Sequence, residues 1–485
     1  MQDRISLKVN YLYNVAYQLL LIIAPLITSP IISRRLGPDM IGQQSYCYSV
    51  ATYFMLFIML GVSNYGNRSI AKVRDDKIKL SETFWTIYGF QLLRALIVFA
   101  GYIVYVVFFA RRYHQIALIN SIYVLSGFFD ISWFFFGLEQ FKLTVPVNFA
   151  LKIINIIAII TFIKQPSDIW IYALIICAIT LCTNMILWIY LKRFVFFYKP
   201  KLREFIPHIK PEFILFIPVL AVSLYKVMDR IMLGALSSSV EVGYYTQAES
   251  IVNLPMALIT SLGVVMLPRI SNLIAKGDVE TSKKYIESSI MFAMLLACAM
   301  AFGLSSIAPT FAITFFGESF APCGSLIIGL SSTIIFISWA NVIRTQYLIP
   351  NSMDKSYLIS IISGATVNLI INFLLIPRYA SIGALIGTIS AEAIVCILQT
   401  AMVRNDLPIK RYIVESTPFF LFGIIMFIFV RIITPLIDNP TPQLIAQVLL
   451  GGGIYGICLV IYSVVSKSFI AGMIKSILNK LKIRR

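Results

Sequence analysis

Apolar runs of about twenty residues follow one another from end to end of this 485-residue chain, each closed by a short polar or basic connection. Such a run is the length an α-helix needs to cross the hydrocarbon of a bilayer. Lipid offers backbone amides no partner, so only helices and closed barrels can span it. A barrel would show alternating ten-residue strands, which this chain lacks. The predicted spans are 10–33, 42–66, 84–109, 115–136, 144–163, 168–190, 213–234, 247–267, 286–309, 322–348, 356–377, 382–403, 412–434 and 443–465, about fourteen in all. Composition agrees: 59% of residues are hydrophobic and 13% charged, against about a quarter charged in soluble domains. The reading is an all-α polytopic membrane protein. Its first run lacks a small-residue cleavage site and is read as a span, not a signal peptide.

The net charge is +18, and in a membrane protein basic excess first means orientation. With an even number of spans both ends lie on one side. That side holds Arg4, Lys8, "AKVRDDKIK", "LKRFVFFYKPKLREFIPHIK", residues 269–284, "RNDLPIKR" and the tail "KSILNKLKIRR". It carries about 27 Lys and Arg against about 6 opposite, which places both termini in the cytoplasm. These loops read as topology signals resting on anionic headgroups, and the tail as an interfacial amphipathic helix, so no nucleic-acid partner is expected. The seven cysteines are scattered and read as small core residues. His114 and His208 have no Cys or acidic cluster near them, so no metal site is expected.

The chain repeats itself. "RRLGPDMIGQQSY" answers to "IMLGALSSSVEVGYYTQ", "MLGVSNYGNRSIAK" to "SLGVVMLPRISNLIAK", and "ISWFFFGLEQ" to "ISWANVIRTQ". Gly61 pairs with Gly263, Arg68 with Arg269, Lys72 with Lys276, Trp133 with Trp339 and Gln140 with Gln346, at an offset near 200 residues. Six spans return the chain to its starting side, so the halves share one orientation. They should be related by a pseudo-two-fold axis along the membrane normal. The expected organisation is a six-helix bundle over 1–200, a second over 201–411, and two extra spans with a basic tail over 412–485.

A few charges remain inside the spans: Arg94, Lys152, Lys226, Arg230, Arg344 and Arg431, with Asp130, Asp229, Glu249 and Glu392 as acidic counterparts. A Lys or Arg at a helix centre costs roughly 2.5–3.5 kcal/mol on insertion scales, so these must pair, snorkel or line water. The stretch "SLYKVMDRIMLGAL" puts Lys226 and Arg230 four apart on one face with Asp229 beside them. Lys226 lies roughly 12 Å below the outer end of its span. The stripe reads as facing an inter-bundle cavity, or as an internal ion pair through Asp229. Arg94 and Lys152 read as cytoplasmic-half cations of the same path, Arg344 as a further one or an interfacial snorkel, and Arg431 as interfacial. A path so lined suits an anion. Pro25 and Pro30 in the first span and Pro218 in the seventh should kink corresponding helices, either as a transport hinge or as ordinary packing.

The 6+6+2 arrangement, "SRRLGPDMIGQQSY", "DRIMLGALSSSVEVGYYTQAESI", "FIKQPSDIWIYALI" and "VNLIINFLLIPRYASIGALIGTISAE" together resemble the Wzx-type polysaccharide flippases of the multidrug/oligosaccharidyl-lipid/polysaccharide exporter superfamily. The matching residues are Leu36, Gly37, Gly42, Asp229, Arg230, Gly243, Tyr244 and the stretch 368–392. The resemblance implies a bacterial inner-membrane protein that moves an undecaprenyl-diphosphate-linked oligosaccharide outward by alternating access. Glycan polymerases or glycosyltransferases would be its neighbours, and membrane lipids its surroundings. No cofactor is expected. Drive would come from the membrane potential, a sodium ion or a proton, with Asp130, Asp229 or Glu392 as coupling acids. No GxxxxGK[ST] loop is present. A drug/cation antiporter of the same superfamily is the alternative, but it would need deep acids where these deep charges lean basic. A membrane glycosyltransferase or polymerase would need catalytic groups on a sizeable outer loop, and a scaffold would need no buried cations.

Overall fold

The structure, a computed structural model, describes residues 2–433 and 437–465, with side chains from residue 20 onward apart from 22 and 433. The basic tail read as an interfacial helix lies outside these residues. Twelve helical segments among them are long and apolar enough to cross a membrane. Two are bent double. Helix α1 (Gln2–Met59) has 58 residues and would reach about 87 Å if straight, well beyond a bilayer of about 40–45 Å. It breaks at Gly37, with φ 75° and ψ 172°, a conformation glycine adopts freely. Helix α13 (Asp354–Val403) breaks at Ala380, with φ 49° and ψ −126°. Twelve segments with two doubled give the fourteen predicted legs.

The other helices are α2 (Val62–Val73), α3 (Lys77–Phe108), α4 (His114–Phe129), α5 (Ser132–Gly137), α6 (Phe141–Phe162), α7 (Ile169–Leu191), α8 (Leu202–Lys226), α9 (Met228–Leu236), α10 (Ser239–Ala275), α11 (Val279–Phe311), α12 (Cys323–Ile343), α14 (Ile409–Ile433) and α15 (Pro440–Val465). No strand occurs among the described residues. The chain divides into two compact units after Gly243. The repeat boundary read at 200/201 is one of sequence; in the fold α8 packs on α2 and α3, and α9 on α1.

In the first unit α3, α5 and α7 meet around Phe84, Trp133 and Phe134, all fully buried. Trp133 donates its indole N–H to Gln91 Oε1 at 3.1 Å, as a buried Trp requires. Its repeat partner Trp339, in the second unit, donates to Thr400 Oγ1 at 2.9 Å, so the repeat keeps the buried indole and changes its acceptor. Second-unit packing joins α11, α14 and α15 around Met426, Val430 and Tyr455. Cys47, Cys177, Cys298 and Cys323 are core residues as expected, whereas Cys182 is exposed on α7. The core reading fails there because a small thiol can face lipid at little polar cost.

Local sequence explains the joints. Asp76 precedes α3 and accepts from the backbone N–H of Ile78 and Lys79. These amides, Lys79's first, hold its carboxyl below the usual carboxylate range. Arg35, from the "RRLGP" motif, donates to the carbonyls of Ile160 and Ile163 at 2.7 and 2.5 Å. It satisfies carbonyls at the end of α6, where the helix dipole favours a cation.

Candidate functional site

The seventh leg is distorted at the charges that the sequence singled out. Helix α8 ends at Lys226 and α9 starts at Met228; between them Val227 is widened to φ −115° and ψ −32° but stays right-handed, its N–H still on the Ser223 carbonyl at 2.9 Å. Lys226 therefore sits in the last turn of one helix and Asp229 in the first turn of the next. The joint falls nine residues beyond Pro218, which α8 runs through, along with Pro207 and Pro211. Pro25 and Pro30 likewise lie within helical α1, and the sharp turn comes at Gly37. Lys226 is exposed and makes no ion pair among the described residues. Asp229 is 2% exposed, Arg230 is half-buried, and both are engaged.

Near its middle, α8 carries a residue that the sequence reading missed. Glu212 is fully buried and forms an ion pair with Arg94 of α3. Arg94 also donates through Nε to the Ile58 carbonyl at 3.3 Å, and its guanidinium lies 4.3 Å over the Phe90 ring. The second oxygen of Glu212 and Arg94 Nη2 are buried without hydrogen-bond partners. One turn earlier His208 Nδ1 meets the Tyr65 hydroxyl at 2.7 Å. Starting the span at 213 left Glu212 in the connection. The signal was available in "PEFILF", an acid set directly against an apolar run.

The remaining candidates scatter. Lys152, on α6, is half-buried and makes no ion pair among the described residues. Asp130 closes α4 and accepts from the Ser132 amide at 3.0 Å, a local turn role. Arg344 begins a π-helical turn (Arg344–Leu348), donates to Asn341 Oδ1 at 2.6 Å and lies 5.8 Å from the Tyr357 ring. Glu392 is 7% exposed on α13 and is engaged. Arg431 lies 5.5 Å from the Phe427 ring.

A second feature explains two glycines of the repeat motif. Backbones touch where the first leg turns into the second. A Cβ on Gly42 would overlap the Ser239 carbonyl, with the Gly243 nitrogen 2.9 Å away. A Cβ on Gly243 would overlap the Pro38 carbonyl, with its carbon 2.8 Å away. The motif aligns Gly42 with Gly243 and Pro38 with Ser239, so the contact is reciprocal, as two-fold contacts are. Ser239 also donates to Asp39 Oδ1, and a Cβ on Gly234 would strike the Tyr46 ring.

Comparison with known proteins follows this geometry. A family model described as polysaccharide biosynthesis protein matches residues 7–274. A putative O-antigen transporter of Escherichia coli K12 is 24% identical over 409 residues, covering 83% of this chain and 98% of its own. One of Shigella dysenteriae is 23% identical over 385 residues, covering 78% and 96%. Among solved structures, the lipid II flippase MurJ in an inward closed conformation superposes with a TM-score of 0.75 at 15% identity, over 94% of this chain and 98% of its own. An inward-facing multidrug resistance MATE family transporter gives 0.60 at 13%, over 83% and 96%. These last two establish the shared fold.

Proposed function

The chain belongs to the polysaccharide biosynthesis protein family, and we propose that it is a flippase carrying an undecaprenyl-diphosphate-linked oligosaccharide from the cytoplasmic to the outer leaflet of a bacterial inner membrane. In this proposal both termini are cytoplasmic, transport runs by alternating access through a central cationic cavity, and no covalent chemistry occurs. The observation that carries the reading is the charge set at the distorted joint of α8 and α9, where Lys226 is exposed inside an apolar leg and Asp229 and Arg230 follow within one turn. Ionisable residues inside a membrane leg are costly there and mark substrate or ion paths. Relatives named O-antigen transporters support the substrate class.

The chemistry is consistent. A diphosphate carries roughly two negative charges, and an inside-negative potential drives them outward, downhill by roughly 4–5 kcal/mol per 100 mV. Lys226 acts as a point charge and Arg230 can bind phosphate bidentately. Lys152 and Arg344 extend the cationic path. Arg94 acts on it through Glu212, whose burial makes the pair a joint between α3 and α8. Asp229 and Glu392 would serve as the acids for sodium or proton coupling in this proposal, and Asp130 would join them only if its turn opens. In this proposal the reciprocal glycine contact parts and re-forms once in each transport cycle. A glycan polymerase or glycosyltransferase supplies or consumes the substrate.

Lys226→Ala and Arg230→Ala should each lose transport tenfold or more at unchanged expression, with Lys226→Arg retaining most of it. Surface polysaccharide restored to a deletion strain is the readout. Full transport by both alanine variants makes the stripe structural and removes the proposed site.

A further inference from the structure

The second unit holds a slot of about 570 Å³ between α11, α12, the second leg of α13 and α14, outside every residue assigned to substrate. Its walls include Ile335, Phe336, Ile397, Ala401, Ile413 and Phe420. Ile397, Ile413 and Phe420 are exposed, so in a membrane the slot opens to lipid.

The few polar groups on its walls are already satisfied. Thr400 donates to the Cys396 carbonyl at 2.7 Å and accepts the Trp339 indole N–H at 2.9 Å. Ser416 and Thr417 donate to the Ile413 carbonyl at 3.0 and 2.8 Å. No wall hydroxyl has its proton left for a sugar or another polar ligand, and a polar ligand entering would lose its own water. Hydrocarbon loses nothing there. At one end stands Arg404, exposed and without an ion pair among the described residues. The connection it opens continues to Lys410. Nearby Arg411 differs, being held by Glu287 and Glu415.

We infer that this slot binds one acyl chain of an anionic phospholipid of the cytoplasmic leaflet, with Arg404 on the phosphate. The leaflet assignment rests on the orientation proposed above; the ligand chemistry does not. Basic residues at the cytoplasmic end of an interhelical pocket are a recurring headgroup site. None of Lys226, Arg230, Arg94, Lys152 and Arg344 lines the slot, which separates it from the diphosphate path. The inference gives the protein a lipid requirement of its own, distinct from its cargo.

The test uses the full chain in nanodiscs without substrate, so its result does not depend on flipping. Phosphatidylglycerol or phosphatidylcholine carrying a photoreactive acyl chain is crosslinked, and labelled peptides are mapped by mass spectrometry. The expected result is labelling around Ile397, Ala401 and Ile413, at least threefold stronger with phosphatidylglycerol. Arg404→Gln should bring that preference to parity. Ala401→Trp, which fills the slot, should abolish labelling there. The apolar groove at Leu258, Leu262 and Val265 is the internal control, expected to label equally with both lipids. Arg404→Gln lies at an exposed position and keeps the test decisive if Ala401→Trp fails to fold. Equal labelling by both lipids at the slot overturns the inference. So does displacement of phosphatidylglycerol by an equimolar undecaprenyl phosphate probe, which would make the slot a seat for the cargo tail.

Discussion

Replacing Gly42 by valine should force apart the contact between the turn that follows Gly37 and the start of α10. The Cβ alone would overlap the Ser239 carbonyl and approach the Gly243 nitrogen to 2.9 Å. Both neighbours are backbone, so no rotamer change relieves the clash. Overpacking costs typically 1–3 kcal/mol, and a backbone obstacle belongs at the upper end. About 3 kcal/mol converts to roughly 150-fold in the equilibrium between the closed contact and a parted one. The sign is diagnostic, because an unobstructed Gly→Ala in a helix stabilises by roughly 0.5–1 kcal/mol. Gly42→Ala should therefore already part the contact. A native reporter lies one turn on: Cys47 is 2% exposed and lines a small recess with Tyr46 and Gly234. A membrane-impermeant maleimide added outside intact spheroplasts should leave Cys47 unmodified in the parent and modify it in Gly42→Val and Gly243→Val. Peptide mass spectrometry separates it from the exposed Cys182. Transport should fall tenfold or more, since the contact must re-form each cycle. Parental Cys47 protection together with full transport in Gly42→Val would refute the latch.

Other expectations follow from the same side chains. Arg94→Ala or Glu212→Ala should each destabilise by about 3–5 kcal/mol, because each leaves a buried charge unpaired. Thermal denaturation in detergent measures this, and an Arg94→Met/Glu212→Leu double variant should recover most of the loss; two additive single losses would contradict the pairing. Asp76 titrates below the unfolded range, so its support of α3 is complete above that range and is lost as pH falls through the lowered value. Asp76→Asn, which still caps, should remove the acid-dependent rise in hydrogen exchange of the Ile78 and Lys79 amides. Arg35→Gln should raise exchange at the end of α6 while leaving α7 unchanged.

The fourteen legs were legible because hydrocarbon imposes one length on every crossing, and composition alone reveals it. Joints were less so. Prolines drew attention in the first and seventh spans, yet the first leaves helical geometry at Gly37, and the seventh is only widened at Val227, which stays right-handed. Membrane helices absorb proline, while a glycine at positive φ permits a reversal that proline does not. The repeat identified Gly42 and Gly243 as equivalent without saying that each meets the other's strand of chain. That requires a three-dimensional contact. Among the charges, sequence spacing put Lys226 and Arg230 on one face with Asp229 beside them; in the structure Lys226 is exposed while Asp229 is buried. Arg94's partner escaped because pairing between α3 and α8 joins residues 118 apart in sequence. Gly61 and Gly263 align in sequence and diverge in structure: the first ends a helix at φ 80°, the second lies inside α10.

The central claim is movement of a finished lipid-linked glycan between leaflets. The most direct measurement is on cells lacking this gene: extraction of undecaprenyl-diphosphate-linked glycans, with their leaflet assigned by access of an external glycosidase. The account predicts complete repeat units accumulating on the cytoplasmic leaflet while surface polysaccharide falls, both reversed by the intact gene and not by Lys226→Ala. An unchanged lipid pool with normal surface polysaccharide would contradict it and turn attention to cation efflux.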